Sequence, residues 1–425
     1  MEMVLALIIF IVTYVLMIAL PKWRYLVALC SAALFLILGI LPAAEIPSAV
    51  NWNVLMMLSG TMGTVSLFID SGMPNRMGGL LLNKAPNVMW AVVILSLFAG
   101  VVSAFIDNVA TVLMIAPVGL AIARKLKISP VAMLVCISVS SNLQGAATLV
   151  GDTTSILLGG YAGMTFTDFF FMKGRFGIFW AVELGALFTV PVIMLLFRKQ
   201  REPIERVAVE SVTDYFPSAL LLANVLLLII ASFLPNMPEM INGYICIGLF
   251  AIGFARTWIR DGKPTACVKA LKEIDYQTLL LLAGLFIVIA GITEAGVIDE
   301  ISSLFVKLGG KNLFLMYTLI TWGSVLFSAF IDNIPYVTTM LPVVTGISAI
   351  LGCSPYVLYF GLLSGATLGG NLTPIGASAN IATIGILRRE GCEVKTRDFM
   401  RIGVPFTLTA VIVGYLFIWF VWNGA

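Results

Sequence analysis

The chain of 425 residues is strongly apolar, since 60% of its residues are hydrophobic and only 11% are charged. Soluble domains are about half apolar and about a quarter charged, so this composition excludes a soluble enzyme, a nucleic-acid-binding protein and a disordered chain. The chain has no histidine, which excludes imidazole acid–base chemistry, catalytic triads that need histidine, and histidine metal sites. A polytopic membrane protein remains.

Local motifs exclude two further kinds of chemistry. The cysteines form no CxxC pair and most lie in apolar runs, so we expect buried thiols instead of disulfides or a metal cluster. They are Cys30, Cys136, Cys246, Cys267, Cys353 and Cys392. The sequence lacks a GxxxxGK[ST] loop, so we expect no ATP hydrolysis by this chain. The first apolar segment has no basic n-region and no A-x-A site, so we do not predict a cleaved signal peptide.

Apolar segments of about 20 residues predict membrane-spanning helices. Full-length candidates are 3–20, 25–41, 52–70, 175–197, 217–234, 241–259, 276–293 and 402–423. Two regions, 130–163 and 355–388, can cross the membrane but are broken by glycine, proline and polar residues. Two others, 88–124 and 312–352, have a polar break near the middle, and we interpret them as re-entrant hairpins.

The basic residues predict the orientation, because short cytoplasmic loops are rich in lysine and arginine. If the loop with Lys22 and Arg24 lies inside and both hairpins are re-entrant, 21 of the 25 basic residues fall inside. The four that fall outside are Lys173, Arg175, Lys307 and Lys311. Reading the hairpins as full crossings breaks this segregation. We therefore predict ten crossings with both termini outside.

The two halves of the chain share an internal repeat. Ser103 to Pro130 and Ser328 to Pro355 are identical at 13 of 28 positions without a gap, at an offset of 225. The same offset aligns GAATLVGDTTSI with GNLTPIGASANI. The predicted orientation inverts one repeat relative to the other. Inverted repeats with interrupted helices are typical of secondary transporters, whose binding site lies near the midplane of the membrane.

The predicted fold is therefore an all-α polytopic membrane protein with about ten spans and two re-entrant hairpins in two inverted repeats. The predicted divisions are 1–51 for the N-terminal spans, 52–197 for repeat 1, 198–216 for a cytoplasmic linker, 217–275 for linking spans and 276–425 for repeat 2.

The sequence Phe-Ile-Asp-Asn occurs at the tip of each predicted hairpin. An ionisable group at membrane depth is costly unless it is paired, protonated or bound to a metal ion. We favour a cation or proton site at Asp107, Asn108, Asp332 and Asn333, with Thr111 on the following helix. Na⁺ is one candidate for the bound cation. The alternative is that each aspartate only caps the next helix, because aspartate is a good N-cap.

The broken helices supply a second set of candidate site residues. Their glycines and small polar side chains let the backbone approach a ligand and leave carbonyl groups free for a hard cation. The alternative is close helix packing. The candidates are Asn142, Gly145, Thr148, Gly151, Asp152, Thr153, Gly370, Asn371, Thr373, Gly376, Ser378 and Asn380. Asp152 has no acidic counterpart, since Ala377 stands at the equivalent position. Glu183 lies in an apolar run and is either a relay group or a paired or interfacial residue.

These motifs resemble the ion transporter superfamily. FIDNVATVLMIAPV, ATLVGD, FIDNIPYVTTMLPV and NLTPIGASAN look most like the branch with arsenite-efflux proteins, sodium/proton antiporters, the melanosomal P protein and citrate-transporter-like domains. The resemblance covers residues 25–423. It implies a scaffold domain, a transport domain that moves by an elevator mechanism, and a homodimer.

The chain departs from one related group at the hairpin tips. The divalent-anion/sodium symporters carry Ser-Asn-Thr, where this chain has Asp107-Asn108-Val109 and Asp332-Asn333-Ile334. Two carboxylates repel an anion by on the order of a few kcal/mol at an effective dielectric constant near 20. They suit a cation, a proton or a neutral oxyacid better.

The sequence thus predicts a Na⁺- or H⁺-coupled secondary transporter, preferably an antiporter, and not an enzyme. Alternatives are a Na⁺-coupled citrate or dicarboxylate symporter and efflux of arsenite or another neutral oxyacid. A channel and an intramembrane aspartyl protease are remote alternatives, the latter because two membrane aspartates could form a dyad. Expected partners are a small substrate, the lipid membrane and a second copy, without nucleic acid. If the source is prokaryotic, the location is the plasma membrane.

Overall fold

The computed structural model describes residues 2–126, 128–204, 209, 211–261 and 265–424. Three basic residues that the orientation places inside, Lys127, Arg206 and Lys263, lie outside the described residues, as does the side chain of Cys267. The other five cysteines are free thiols. Cys136 and Cys246 are buried as predicted, but the prediction is wrong for Cys30, which is exposed, and for Cys353 and Cys392, which are half-buried.

The chain begins with three helices and then enters the first repeat. The first three are α1 (Glu2–Ala19), α2 (Arg24–Ile37) and α3 (Ile46–Ala49). Repeat 1 contains α4 (Trp52–Asp70), α5 (Met73–Leu82), α6 (Val88–Ser103), α7 (Asn108–Leu126), α8 (Val131–Gly145), α9 (Thr153–Ala162) and α10 (Ile178–Leu196). Two-residue strands, β1 (Phe171–Met172) and β2 (Arg175–Phe176), pair antiparallel before α10.

Three linking helices precede the second repeat, which has the same series of helices as the first. The linking helices are α11 (Phe216–Phe233), α12 (Ile241–Asp261) and α13 (Thr265–Lys272). Repeat 2 contains α14 (Tyr276–Glu294), α15 (Val297–Gly309), α16 (Leu313–Ser328), α17 (Asn333–Leu351), α18 (Tyr356–Gly369), α19 (Ser378–Arg389) and α20 (Thr396–Trp422). Short 3₁₀ turns occupy Pro21–Trp23, Ala43–Glu45, Thr167–Phe169 and Gly370–Leu372.

The duplication extends to backbone geometry. Gly72 follows α4 and Gly296 follows α14, and both adopt a left-handed conformation with φ of 75°. A side chain other than glycine is strained in this conformation, so each repeat uses glycine to turn from its first long helix into the next one. The hairpin helices then pack in the same way, with α6 against α8 in repeat 1 and α16 against α18 in repeat 2.

The outer surface matches the predicted membrane location. In the described part of the chain, eight helices are long and apolar enough to cross a membrane: α1, α4, α7, α10, α11, α14, α17 and α20. Large apolar side chains remain exposed on them, such as Leu222 and Phe233 on α11, at 67% and 75%. The fold is all-helical apart from the two short strands.

The helices form two packing groups. In one, α4 packs on α12 and α2 packs on α14, with α1 and α11 beside them. In the other, α10 packs on α20 and the hairpins pack on the broken helices. The site described below lies between these two groups.

The linker between the repeats is tied down where it meets α11. The backbone N–H of Thr213 donates to the Ser71 carbonyl at 3.1 Å. The guanidinium groups of Arg256 and Arg260 contact the Asp214 carboxylate. Burial alone raises the pKa of Asp214, but hydrogen bonds from Arg256 and Phe216 and the charges of both arginines lower it below its usual value. These contacts hold the end of the linker against α4 and α12.

The contact between α4 and α12 depends on Gly60. A Cβ atom at this position overlaps the backbone of Cys246 and Ile247. We expect Gly60→Ala to destabilise the fold by about 1–3 kcal/mol through overpacking, measured as a lower midpoint of thermal unfolding in lipid nanodiscs. Gly248→Ala, on α12 with nothing within 4 Å of the added atom, is the matched control and should be neutral or slightly stabilising, because alanine favours a helix more than glycine does. Equal midpoints for the two variants contradict this account.

Candidate functional site

The tips of the two hairpins place Asp107 and Asp332 at the starts of α7 and α17. The Asp107 Oδ1 atom accepts hydrogen bonds from the N–H groups of Val109 at 3.0 Å and Ala110 at 3.1 Å. The Asp332 Oδ1 atom accepts from the N–H of Ile334 at 3.1 Å. Both aspartates therefore cap a helix with one oxygen. Capping does not use the second oxygen of either carboxylate, so the two interpretations made from the sequence are compatible.

A cavity of about 450 Å³ lies between the two hairpin tips and α4. Residues of both tips and of both broken helices line it, and five of its lining residues are acidic: Asp107, Asp152, Glu273, Asp275 and Asp332. Of the described residues that line this cavity, none is lysine or arginine. Glu273 and Asp275 are exposed, so the cavity reaches the surface where α13 meets α14. The lining is therefore acidic, although Arg24 and Lys269, which lie outside it, pair with Asp332 and Glu273.

The break between α8 and α9 brings Asp152 to this cavity. Asp152 caps α9, accepting from the N–H of Thr153 at 2.8 Å and from the Thr154 hydroxyl at 2.7 Å. The Asn108 amide nitrogen lies 3.4 Å from Asp152 Oδ1. The first hairpin tip and the first broken helix therefore meet at this carboxylate, and Thr153 lies beside it in the cavity wall.

The break between α18 and α19 lacks this carboxylate. Ala377 precedes α19 and provides no side-chain cap. Here the Asn380 amide nitrogen donates to the carbonyls of Gly370 at 3.0 Å and Thr373 at 3.1 Å, which closes the loop upon itself. Ser378 and Asn333 line the cavity on this side.

A network of buried amides joins the two broken helices. The Asn142 nitrogen donates to Asn371 Oδ1 at 2.7 Å and to Asn380 Oδ1 at 3.1 Å, while Asn142 Oδ1 accepts from Asn108 at 3.0 Å. Ser138 donates to Asn380 Oδ1 at 2.7 Å, and the Asn371 nitrogen donates to the Val139 carbonyl at 3.0 Å. Asn142, Asn371 and Asn380 are fully buried. This network sets the position of Asn108 and, through it, the wall around Asp152.

Several predicted site residues pack behind the cavity instead of lining it. Thr148 donates to the Ala104 carbonyl, and Thr373 donates to the Ala329 carbonyl, so equivalent bonds tie each loop to its hairpin tip. A Cβ atom on Gly151 meets three carbonyl oxygens at 2.5 to 2.7 Å, those of Gly145, Ala104 and Ser103. The close-packing interpretation therefore fits these small residues. The predicted residues outside the cavity wall are Thr111, Asn142, Gly145, Thr148, Gly151, Gly370, Asn371, Thr373, Gly376 and Asn380.

Sequence reasoning missed the partner of Asp332. The Arg24 guanidinium, at the start of α2, donates to Asp332 Oδ2 at 2.7 Å. From the sequence, Arg24 was only a marker of orientation, and no spacing or repeat connects it with a residue 308 positions away. Ser66 and Thr278 in the cavity wall were also missed, since each lies in an otherwise apolar helix. Glu183 lies on α10, away from the cavity wall.

The acidic residues do not form a compact metal cage. Within the described ranges, no group of three or more cysteine, aspartate or glutamate side chains is arranged to hold a metal ion. A cation at the tips would need amide, hydroxyl or backbone oxygens beside a carboxylate, and Asn108 and Thr153 are near enough to Asp152 to contribute.

Comparison with known proteins assigns the chain to a family. The sequence model of the citrate transporter family matches residues 6–361. An uncharacterised transporter of Mycobacterium bovis is 30% identical over 429 residues, covering 98% of each chain. The chain belongs to the citrate transporter family. It is therefore an integral, multi-pass membrane protein, and the predicted resemblance to a citrate-transporter-like domain is confirmed.

Two further similarities, one in sequence and one in structure, are more distant. The human P protein is 26% identical over 92% of this chain, which spans 56% of the P protein. The YdaH transporter of Alcanivorax borkumensis superposes with a TM-score of 0.62, covering 95% of this chain and 98% of that chain at 13% identity. At this identity the likeness shows the fold alone, and it agrees with the predicted all-helical transporter architecture.

The amide network gives a test of how the site is held. We expect Asn142→Ala to lower stability by about 1–3 kcal/mol, because the buried polar groups of Asn108, Asn371 and Asn380 lose a partner. Thermal unfolding in nanodiscs measures this loss. Ser155→Ala is the matched control: Ser155 is the repeat equivalent of Asn380, and its buried hydroxyl has no hydrogen-bond partner among the described residues. If Ser155→Ala destabilises as much as Asn142→Ala, the network does not have the role assigned here.

Proposed function

We propose that this member of the citrate transporter family is a secondary active transporter coupled to Na⁺ or H⁺, and that it works as an antiporter for a small ion or oxyacid. The observation that supports this most is the acidic cavity, in which both hairpin tips and both broken helices meet. In this proposal Asp107 and Asp152 carry the coupling cation. Asn108 and Thr153 supply further oxygen ligands.

The charge of the cavity supports a cation. Asp107 and Asp152 line one wall, and no lysine or arginine stands among the described residues lining it. Two carboxylates that are shielded from water repel each other, and a bound Na⁺ or a proton relieves that repulsion. An anionic substrate meets the same carboxylates and is repelled. A neutral oxyacid is not.

The position of the cavity supports alternating access. It lies between α4 and α14 on one side and the hairpin tips on the other. Among the described residues, the polar contacts that cross between the two groups include Asn51 to the Gly160 carbonyl at 3.1 Å, Tyr14 to the Pro335 carbonyl at 2.6 Å and the Arg24–Asp332 ion pair. We propose that the hairpins, broken helices, α10 and α20 move as one body against the rest in an elevator-type cycle. We call the remaining helices, which include α2, α4 and α14, the static group. A homodimer, implied by the family resemblance, would hold this static group in place.

The side on which the cavity opens indicates which state of the proposed cycle this structure represents. Its exposed end lies at Glu273 and Asp275, close to Lys269 and therefore on the side that the basic residues assign to the cytoplasm. We accordingly interpret the structure as inward-open.

A second candidate is uptake of citrate or a similar organic anion, and the name of the matching family model favours it. In this acidic cavity such an anion requires bound cations that compensate its charge. The two candidates differ in whether substrate and coupling ion move in the same or in opposite directions. Purified protein in liposomes, with Na⁺ and pH gradients imposed separately and candidate solutes screened by counterflow, decides between them.

Asp107 and Asp152 provide the mutational test. Each of Asp107→Asn and Asp152→Asn removes a charged contact of about 1.5–3 kcal/mol, so we expect gradient-driven transport to fall at least about tenfold while the protein stays folded. Asp299→Asn, at an exposed carboxylate in the first turn of α15, is the matched control and should keep wild-type transport. Wild-type rates in both site variants would remove these residues from the mechanism.

A further inference from the structure

The two hairpin tips are equivalent in sequence but not in charge. Asp107 and Asp332 occupy the same position in the repeat and cap the next helix in the same way. In repeat 1 a second carboxylate, Asp152, lies in the same cavity wall. In repeat 2 its place is taken by Ala377. One tip thus has two carboxylates, and the other has one.

The permanent positive charge of Arg24 makes the charges of the two tips differ further. The Arg24 guanidinium donates to Asp332 Oδ2 at 2.7 Å, while Asp332 Oδ1 stays on the helix cap. Arg24 and Asp332 are only 25% and 13% exposed, so this ion pair is largely shielded from water. Arginine stays protonated at physiological pH, and its guanidinium group binds carboxylates well in such places. Asp107, by contrast, has no arginine or lysine contact among the described residues.

The formal charge of the two tips follows directly. Asp107 and Asp152 together contribute two negative charges, whereas Asp332 and Arg24 together contribute none. Duplication of an ancestral tip that bound a cation would produce two cation sites. In this chain the guanidinium already lies where a cation at the second site would contact the Asp332 carboxylate.

We propose that Arg24 takes the place of a cation at the second hairpin tip, so that the protein binds one coupling cation per chain, at Asp107 and Asp152. This rests on the proposed function, because it assumes that the tips bind cations. It goes beyond that function by assigning the number of sites and the residue that determines it. Removing the guanidinium opens a second cation site at Asp332.

Binding stoichiometry tests this assignment without knowledge of the substrate. The experiment measures equilibrium binding of radiolabelled Na⁺ to the purified full chain in nanodiscs, and a pH electrode counts protons taken up in parallel. We expect one cation per wild-type chain and two for Arg24→Gln. Arg24→Lys, which keeps the charge, and the double variant Arg24→Gln with Asp332→Asn should both return to one.

The comparisons separate failure of the inference from failure of the proposed function. Equal counts for Arg24→Gln and wild type overturn the inference and leave an ordinary ion pair that holds the hairpin against α2. Equal counts for Asp107→Asn and wild type overturn the proposed carrier role of Asp107 instead. If Arg24→Gln does not fold, Asp332→Asn tests where the single cation is bound: a count of one agrees with binding at Asp107 and Asp152, and loss of a cation shows that Asp332 itself binds it and overturns the assignment.

Discussion

Breaking a helix at membrane depth leaves backbone N–H and C=O groups that no lipid can satisfy, and the residues around the cavity answer this constraint. Asp107, Asp152 and Asp332 each accept from N–H groups at the start of a helix. Asn380 donates to the carbonyls of Gly370 and Thr373, which the second break leaves free. The polar side chains that make the site acidic are therefore the same ones that let the chain be irregular there.

The two repeats meet this constraint with the same devices and then diverge. Thr148 and Thr373 tie equivalent loops to equivalent hairpin tips, and Gly151 and Gly376 leave no room for a side chain against those tips. The backbone problem is identical in both repeats, so its solution is shared. That solution does not require the two repeats to have equal numbers of charged groups facing the cavity. The repeats differ in those charged groups.

The repeat made much of the fold predictable. Polar breaks in 88–124 and 312–352 correspond to the turns between α6 and α7 and between α16 and α17. The candidate site was less predictable, because sequence patterns do not distinguish a small residue that lines a cavity from one that packs behind it. Thr153 and Thr148 look alike in the sequence, yet only Thr153 lies in the cavity wall.

Contacts between non-equivalent positions were beyond sequence reasoning altogether. The repeat equivalent of Asn142 is Thr367, but Asn142 donates a hydrogen bond to Asn371 instead. Arg24 belongs to a segment that precedes both repeats, so it has no repeat equivalent that would point to Asp332. Such pairs arise only when the helices pack, so neither periodicity nor the offset of 225 signals them. Arg24, which neutralises one of the two hairpin-tip aspartates, could therefore be identified only from the structure.

The unequal charge of the tips has a consequence for coupling. A body that carries uncompensated carboxylates moves through the membrane less readily than one whose charge is reduced, because charge at that depth is costly. At the second tip Arg24 compensates Asp332 in this state, and because α2 belongs to the static group, movement of the hairpin must also break this ion pair. At the first tip, where no lysine or arginine among the described residues lines the cavity, a bound cation removes this cost. On the proposed function, movement of the hairpins then depends on loading at Asp107 and Asp152, which is the dependence that couples an ion gradient to transport.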